Sequence, residues 1–306
     1  MAISRAQMMK ELLPGLNALF GLEYKKYENE HEAVYETESS DRAFEEEVKL
    51  SGFGAAPVKS EGSSITYDTA QESFTSRYTH ETIAMGFAIT EEAVEDNLYD
   101  SVSARYTKAL ARAMSHTKQV KGAFPLNNAY TPGSFTAGDG VQLCSTAHPD
   151  INGVNISNSL AVPSDLNETS LEQACIDIAA FTDERGLLIA ARPQKLICAP
   201  YNQFQATRVL ETDLRTGTAD NDINALRTNG VIPGGYSVNH FLTSLNKKFW
   251  FLMTDVPNGM KCFQRTALQT GMDGDFDTGN VRYKARERYS FGVSDYLGIF
   301  GSGEIL

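Results

Sequence analysis

Any fold open to this chain must house a rod. From Thr90 to Lys121 one helical pattern holds for 32 residues, about 48 Å at the rise of an α-helix and well beyond the mean globular helix. Thr90 is a good N-cap, and Glu91, Glu92, Glu95 and Asp96 stand at the positive end of the dipole. Val94, Leu98, Val102, Tyr106, Leu110, Ala113, Thr117 and Val120 mark one apolar face. Arg105, Lys108, Arg112, Lys118 and Lys121 occupy the second half, and Gly122 and Pro125 are expected to stop the helix.

Upstream of the rod the period changes from helical to two-fold. Glu46, Val48 and Leu50 alternate with polar neighbours before Gly52, Gly54, Pro57, Gly62, Ser63 and Ser64 interrupt the pattern. Ile65, Tyr67, Phe74 and Tyr78 then suggest strand, and Ile83, Met85, Phe87 and Ile89 alternate with Thr82, Ala84, Gly86 and Ala88. The spacing predicts one long hairpin over 45–88 with a glycine-rich tip. An isolated pair of strands is marginal in water, so this hairpin needs something to lie against.

Residues 4–20 read as an amphipathic helix that Pro14 should bend or break. From Glu11 to Leu50 there are 11 acids against 4 bases, which predicts an extended arm over 1–44 rather than a packed unit. Beyond the rod, asparagine, glycine, proline and threonine predict loops and short strands to Pro163. A helix should begin near Thr169, with Thr169 and Glu172 as a capping box and Leu171, Ala174, Cys175, Ile178 and Phe181 as its buried face, ending at Gly186. Leu187–Ala190 and Lys195–Ala199 read as buried strands, and Pro200 opens another helix to about Glu211. A polar loop is expected over Thr212–Asp222. Strands follow at Tyr236–Leu242 and Phe249–Met253, and a final two-faced strand at Val281–Val293. The fold class is α+β.

The chemistry expected of an enzyme is sparse. No phosphate loop, dinucleotide fingerprint, GxSxG elbow or HExxH helix occurs in the sequence. Cys144, Cys175, Cys198 and Cys262 form no CxxC pair, which fits a reducing compartment. Lys10 and Glu11 interrupt any secretion signal, and no run reaches the roughly 20 apolar residues that span a bilayer. His31, His80, His116, His148 and His240 are dispersed, and no metal or other cofactor is expected. A Cys144–His148 pair leaves open an intracellular hydrolase as a competing reading. Asp273, Asp275 and Asp277 resemble the front of a calcium loop, but Thr278 stands where its glycine belongs and Lys284 where its glutamate belongs.

The last strand is more informative. Tyr283, Ala285, Tyr289 and Phe291 point one way while Arg282, Lys284, Arg286 and Arg288 point the other. Four like charges on one face repel unless anions oppose them. The chain carries a net charge of −12, so it makes a poor free-standing nucleic-acid binder, and carboxylates of a protein partner are the favoured counter-charge.

In this order the elements resemble the major capsid proteins of tailed bacteriophages. The resemblance also rests on Ala88-Ile89-Thr90-Glu91-Glu92-Ala93 at the entry to the rod and on Leu143-Cys144-Ser145-Thr146-Ala147-His148-Pro149 with Gly153, Ser157 and Asn158. Thr218-Ala219-Asp220-Asn221-Asp222-Ile223-Asn224 and Val281-Arg282-Tyr283-Lys284-Ala285-Arg286 complete it. It implies the Hong-Kong-phage-type coat fold. That fold would comprise an N-terminal arm (1–44), an extended loop (45–88), a peripheral domain with the spine helix (89–163 and 255–306) and an axial domain (164–254).

What the resemblance implies for function is a non-enzymatic shell subunit. It would assemble through pentamers and hexamers into an icosahedral container for double-stranded DNA, held by confinement rather than by specific binding. Its place would be the virion, assembled in the host cytoplasm without a membrane, with a portal, a separate scaffolding protein and a decoration protein as partners. A nanocompartment shell is the alternative within that fold. Gly52, Phe53, Gly54 and Lys59 at the hairpin tip, with Arg282, Lys284, Arg286 and Arg288, are the expected inter-subunit contacts. No Lys59 cross-link is predicted.

Overall fold

Two four-stranded sheets, one carrying the rod, organise the chain in a computed structural model that describes residues 5–90, 99–215, 222–242, 248–274 and 279–303. The strands are β1 (Glu36–Ser39), β2 (Phe44–Leu50), β3 (Glu72–Thr79), β4 (Glu81–Ile89), β5 (His148–Pro149), β6 (Asn155–Ile156), β7 (Pro193–Cys198), β8 (Tyr236–Val238), β9 (Trp250–Thr254), β10 (Met260–Gly274), β11 (Val281–Val293) and β12 (Ile299–Ser302). The helices are α1 (Arg5–Tyr24), α2 (Tyr99–Asn127), α3 (Glu168–Ala179), α4 (Gln203–Glu211) and the single turn α5 (Ala225–Thr228). The first sheet has the order β1-β10-β11-β4 and the second β12-β9-β7-β8, while β2 and β3 form a ribbon of their own.

The rod is present as α2, although its expected acidic start at 91–98 lies outside the described residues. It runs through Gly122 and Pro125 to Asn127 instead of stopping there. Gly122 is needed for contact, not termination. A Cβ there would come within 2.9 Å of the His31 Cβ, while the Gly122 carbonyl accepts a 2.8 Å bond from the Tyr35 hydroxyl. The buried face is also rotated from the expected one. Ser103, Thr107, Leu110, Ala111, Met114 and Gln119 are buried, whereas Tyr106 and Val120 are exposed. The smaller side chains allow α1 and the sheet to approach, and Leu16, Phe20, Leu110, Ala111, Met114, Tyr283 and Ala285 close one core. The larger core joins α3, α4 and the second sheet around Trp250, Phe251, Leu196, Leu171 and Phe300.

Four features depart from the sequence reading. The helix α1 continues through Pro14 to Tyr24. Glu81–Ile89 is a strand, but it pairs antiparallel with β11, not with β2, so the hairpin ends at Thr79. Ile65 and Tyr67 lie in an irregular loop over 51–71. Leu187–Ala190 makes only a single bridge, Thr182 to Leu188, and Leu188 is exposed rather than buried. A run of aliphatic residues records burial in some environment, and among the described residues that environment is missing around Leu188.

Other elements stand close to expectation. The cap of α3 is Asn167 with Ser170, two residues before the predicted Thr169–Glu172 box, and each side chain bonds the other's backbone amide. Pro200 opens a 3₁₀ turn that leads into α4. β8 ends at Val238, short of the expected Leu242. Val281–Val293 forms β11 with the predicted bounds. β12 returns to pair with β9, so the chain's end belongs to the second sheet rather than to the rod's sheet. Residues 216–221 of the expected polar loop, and 275–278 of the calcium-like turn, lie outside the described residues.

The acidic lead-in does not stand free. β1 pairs in parallel with β10, and His31, Val34, Tyr35 and Ser40 are buried. Gln119 on α2 accepts from the His31 amide at 3.1 Å and donates to the Glu28 carbonyl at 3.2 Å. Glu30 accepts from the His240 amide at 2.7 Å. Polar side chains in pairs, which composition cannot register, tie this segment down.

Candidate assembly surfaces

The ribbon β2–β3 projects a loop whose apolar side chains have no cover. Val58 is 98% and Tyr67 92% exposed, with Phe53 and Ile65 also largely open. Gly52 adopts φ +65°, a conformation that favours glycine, where the loop leaves the ribbon. The neck is closed by bonds from Ser51 N to the Gln71 carbonyl (2.9 Å) and from Gly54 N to Asp68 Oδ2 (2.8 Å). Arg185 Nη2 then ties the Thr69 carbonyl to the body at 2.6 Å. Lys59 is exposed at the tip. Thus Gly52, Phe53, Gly54 and Lys59 come together on one projecting element.

The four cations of β11 also share one face. Arg282, Lys284 and Arg286 are exposed and Arg288 half-buried, while Val281, Tyr283, Ala285, Glu287 and Tyr289 are buried on the other side. Their register partners are short or neutral apart from Asp273: Ala88, Gly86, Ala84 and Thr82 on β4, and Asp273, Gly271, Gln269 and Thr266 on β10. Gly86 suits this floor, since a Cβ there would meet the Tyr283 carbonyl at 2.7 Å. Among the described residues, Lys284 and Arg286 form no ion pair. Lys284 and Arg286 thus present a cationic surface with no ion-pair partner among the described residues.

Sequence reasoning missed the charges that lie beneath these surfaces. Glu287 sits on the buried side of β11, 3.4 Å from Lys118 Nζ. Burial raises its carboxyl above the usual range, with the Lys118 charge acting against that rise. Lys49 Nζ lies 3.1 Å from Glu184 and 2.9 Å from Asp295, above the Tyr296 ring. Lys261 Nζ lies 2.6 Å from Glu47 and 2.9 Å from Glu38. Burial works against the Lys261 charge, yet its bonds to Glu47 and Glu38 outweigh that and hold its pKa up. These partners stand far apart in sequence, so no spacing rule finds them.

The competing hydrolase reading fails on geometry. Cys144 is fully buried, burial pushes its thiol up to about 12, and its neighbour is the Tyr130 hydroxyl rather than an imidazole. Both His148 nitrogens are occupied, Nδ1 by Asp139 at 2.6 Å and Nε2 by Asn158 Oδ1 at 3.1 Å. The ring stacks on Tyr296 at 4.0 Å. The motif around them is architectural. In native buffer at neutral pH a thiol reagent should leave Cys144 unmodified, and mass spectrometry should find it labelled only after denaturation.

Asn158 is the hub of that motif. Its amide nitrogen lies 2.8, 3.0 and 3.2 Å from the carbonyl oxygens of Leu143, Tyr296 and Ile299, and its side-chain oxygen accepts from the Ser145 amide at 2.8 Å. Asn224, the last residue of the 218–224 motif, caps α5 and donates to the Val209 carbonyl at 2.6 Å. Residues 218–221 of that motif are outside the described residues. Among the described residues no three His, Cys, Asp or Glu side chains cluster for a metal ion, and no helix is long and apolar enough to cross a membrane.

Comparison with known proteins places these features. A profile of the family described as phage capsid protein matches residues 72–301. No curated protein matches the sequence. Among solved structures, a virus-like particle from Pyrococcus furiosus superposes with a TM-score of 0.55 at 9% identity, covering 94% of this chain and 98% of that one. The capsid of Myoviridae phage XM1 gives 0.53 at 12%, covering 88% of each chain. The capsid of cyanophage P-SCSP1u gives 0.53 at 12%, covering 88% of this chain and 86% of that one.

Proposed function

The chain belongs to the phage capsid protein family, and on that footing we propose that it is the major shell subunit of a tailed-phage head, closing through pentamers and hexamers around double-stranded DNA. It has the tailed-phage capsid fold and is a structural protein of the virion. In the proposed subunit the arm ends near β1, the extended loop is β2–β3 with residues 51–71, the rod's sheet is the peripheral part and the second sheet the axial part. The observation that carries the reading is the hairpin tip, with Val58 and Tyr67 left almost wholly in water on a neck bonded at both sides. Phe53, Val58, Ile65 and Tyr67, all of this one loop, stand largely exposed, and large exposed apolar surface marks an interaction site.

A projecting tip and a separate cationic face on one chain make a heterologous contact, the kind that closes into rings. Interfaces of permanent assemblies exceed roughly 2,000 Å², which a draped hairpin can supply. Within the stripe Arg282, Lys284, Arg286 and Arg288, Lys284 and Arg286 are assigned to carboxylates of the next copy, because among the described residues they form no ion pair. A portal and a separate scaffolding protein are the further partners such a head requires, met in the host cytoplasm during assembly, and a decoration protein would bind its outside.

Negative-stain microscopy of the purified chain, alone or with a scaffold, tests the reading. Closed particles tens of nanometres across are expected, on the order of a virus head. Stable monomers under every assembly condition would refute it, and native particles filled with a protein cargo instead of DNA would overturn its genome-container part. Arg286→Glu should leave the melting temperature within a few degrees, as for a surface change. It should lower particle yield by about tenfold or more through charge reversal at a contact. Unchanged yield in light scattering would show that the stripe is merely solvated.

A further inference from the structure

The rod α2 is basic in a chain that is otherwise acidic. There are 39 Asp and Glu residues among 306, yet none stands between positions 101 and 138, where Arg105, Lys108, Arg112, Lys118 and Lys121 all fall. Two of these cations are engaged at home, Lys118 with Glu287 and Lys121 with Glu81. Arg105, Lys108 and Arg112 are exposed, and among the described residues they form no ion pair. Glu23 on α1 feels the Lys108 charge, but it accepts its bond from Lys26 at 2.8 Å.

Spacing sets the three on one ridge. Positions 105, 108 and 112 are three and four apart, so their side chains are neighbours on the helix surface, with exposed Ala109 among them. Like charges at such spacing weaken a helix rather than support it, so the subunit alone gains nothing from them. On its other side α2 is held by Leu110, Ala111 and Met114, which pack on Tyr283 and Ala285 of β11. Lys284 and Arg286 project from the opposite face of that sheet. The ridge is therefore a second cationic surface, clear of the contact assigned to the stripe.

We infer that this ridge is where the packaged duplex meets the shell, with Arg105, Lys108 and Arg112 taking backbone phosphates of double-stranded DNA. The inference rests on the shell reading and names the surface that touches the contents. Charge complementarity selects the occupant. Arg105 to Arg112 spans about 10 Å of helix, and duplex DNA presents about six charges over that length. Two of the three cations are arginines, whose guanidinium pairs phosphate oxygens two at a time. A protein partner is the poorer match, because the core of a protein interface is depleted of charge. The net charge of −12 does not oppose the contact, since exposed charges farther off than about 8–10 Å are screened at physiological salt. Phosphate contacts carry no sequence information, so the DNA is held without being read.

Two measurements test the ridge. In the first, lysines are acetylated in DNA-filled heads and in the same heads emptied of DNA. Lys108 should react about fivefold less or lower still in the filled heads, by phosphate contact, while Lys284 reacts alike in both. In the second, the purified chain binds a labelled duplex of about 20 base pairs at about 50 mM sodium chloride and above. Log affinity should fall against log salt with a slope of about −2.7, the value for three phosphates. Arg105→Gln with Lys108→Gln and Arg112→Gln should keep the circular dichroism spectrum and the particle yield. It should bind the duplex about tenfold more weakly or worse, with a flatter salt slope.

Unchanged duplex affinity in the triple variant, or equally high Lys108 reactivity in filled and emptied heads, would overturn the inference and leave the shell reading intact. Protection of Lys108 that persists once the DNA is gone would assign the ridge to protein, a second copy or a scaffold, and equally overturn it. Failure of the unaltered chain to form particles at all would instead count against the shell reading, and the duplex measurement would still judge the ridge.

Discussion

Asn158→Ala is expected to cost about 4 kcal/mol of stability, enough to send most of the protein to the insoluble fraction. The site is fully buried, and the side chain serves three carbonyls and one amide from two separate segments, 143–145 and 296–299. Removing it leaves the Leu143, Tyr296 and Ile299 carbonyls, the Ser145 amide and His148 Nε2 short of a partner in a buried site. An unpaired buried group costs on the order of 1–3 kcal/mol, and total domain stability is only about 5–15 kcal/mol. Asn158→Asp should be worse, since it sets a carboxylate oxygen against the same carbonyls. Urea unfolding of whatever soluble fraction remains provides the measurement. A midpoint shift equivalent to under about 1 kcal/mol would show that the hub is dispensable. Ser157→Ala is the neighbouring control, because its hydroxyl bonds only within residues 157–159.

Replacing residues 55–67 by an Asn-Gly turn should have the opposite profile, a folded subunit that forms no particles. The removed stretch makes no bond to the body that the neck bonds at Ser51, Gly54, Asp68 and Thr69 do not already provide. Shortening a loop changes closure entropy by only about 0.6 kcal/mol per halving, so the melting temperature should move by no more than a few degrees. Assembly, by contrast, loses Val58, Ile65 and Tyr67 together. Buried apolar side chains contribute about 1.5–3 kcal/mol each, and in a ring that loss recurs at every interface. Sedimentation should show a sharp monomer boundary where the unaltered chain gives particles. Particles of normal size and yield from the shortened chain would remove the hairpin from the assembly mechanism.

The two predictions separate residues that hold the subunit together from residues that join subunits, and the sequence distinguishes them unevenly. The Cys144-to-Asn158 stretch resembled a family motif and also admitted a nucleophile. Its role is set by Asp139, Tyr296 and Ile299, which only the tertiary structure places around it. The stripe of β11 was legible because alternation within one strand places side chains without reference to any partner. Glu287 carries no such signal, since a lone carboxylate on an apolar face has meaning only beside Lys118.

What the sequence by itself determined was local: the rod, the bounds and two faces of β11, the strand at 81–89, the open glycine-bearing tip, and the family likeness. Hydrogen bonding within a helix and alternation along a strand depend on near neighbours, so their periods are written in the chain. Tertiary structure alone decided which strand β4 would join and that the acidic lead-in would lie on β10. It also decided that Lys49 and Lys261 would draw the charged side of β2 inward, leaving its apolar side in water. Each of these choices is made by groups tens to hundreds of residues apart, where ion pairs and ladder bonds select among partners that local pattern leaves equivalent.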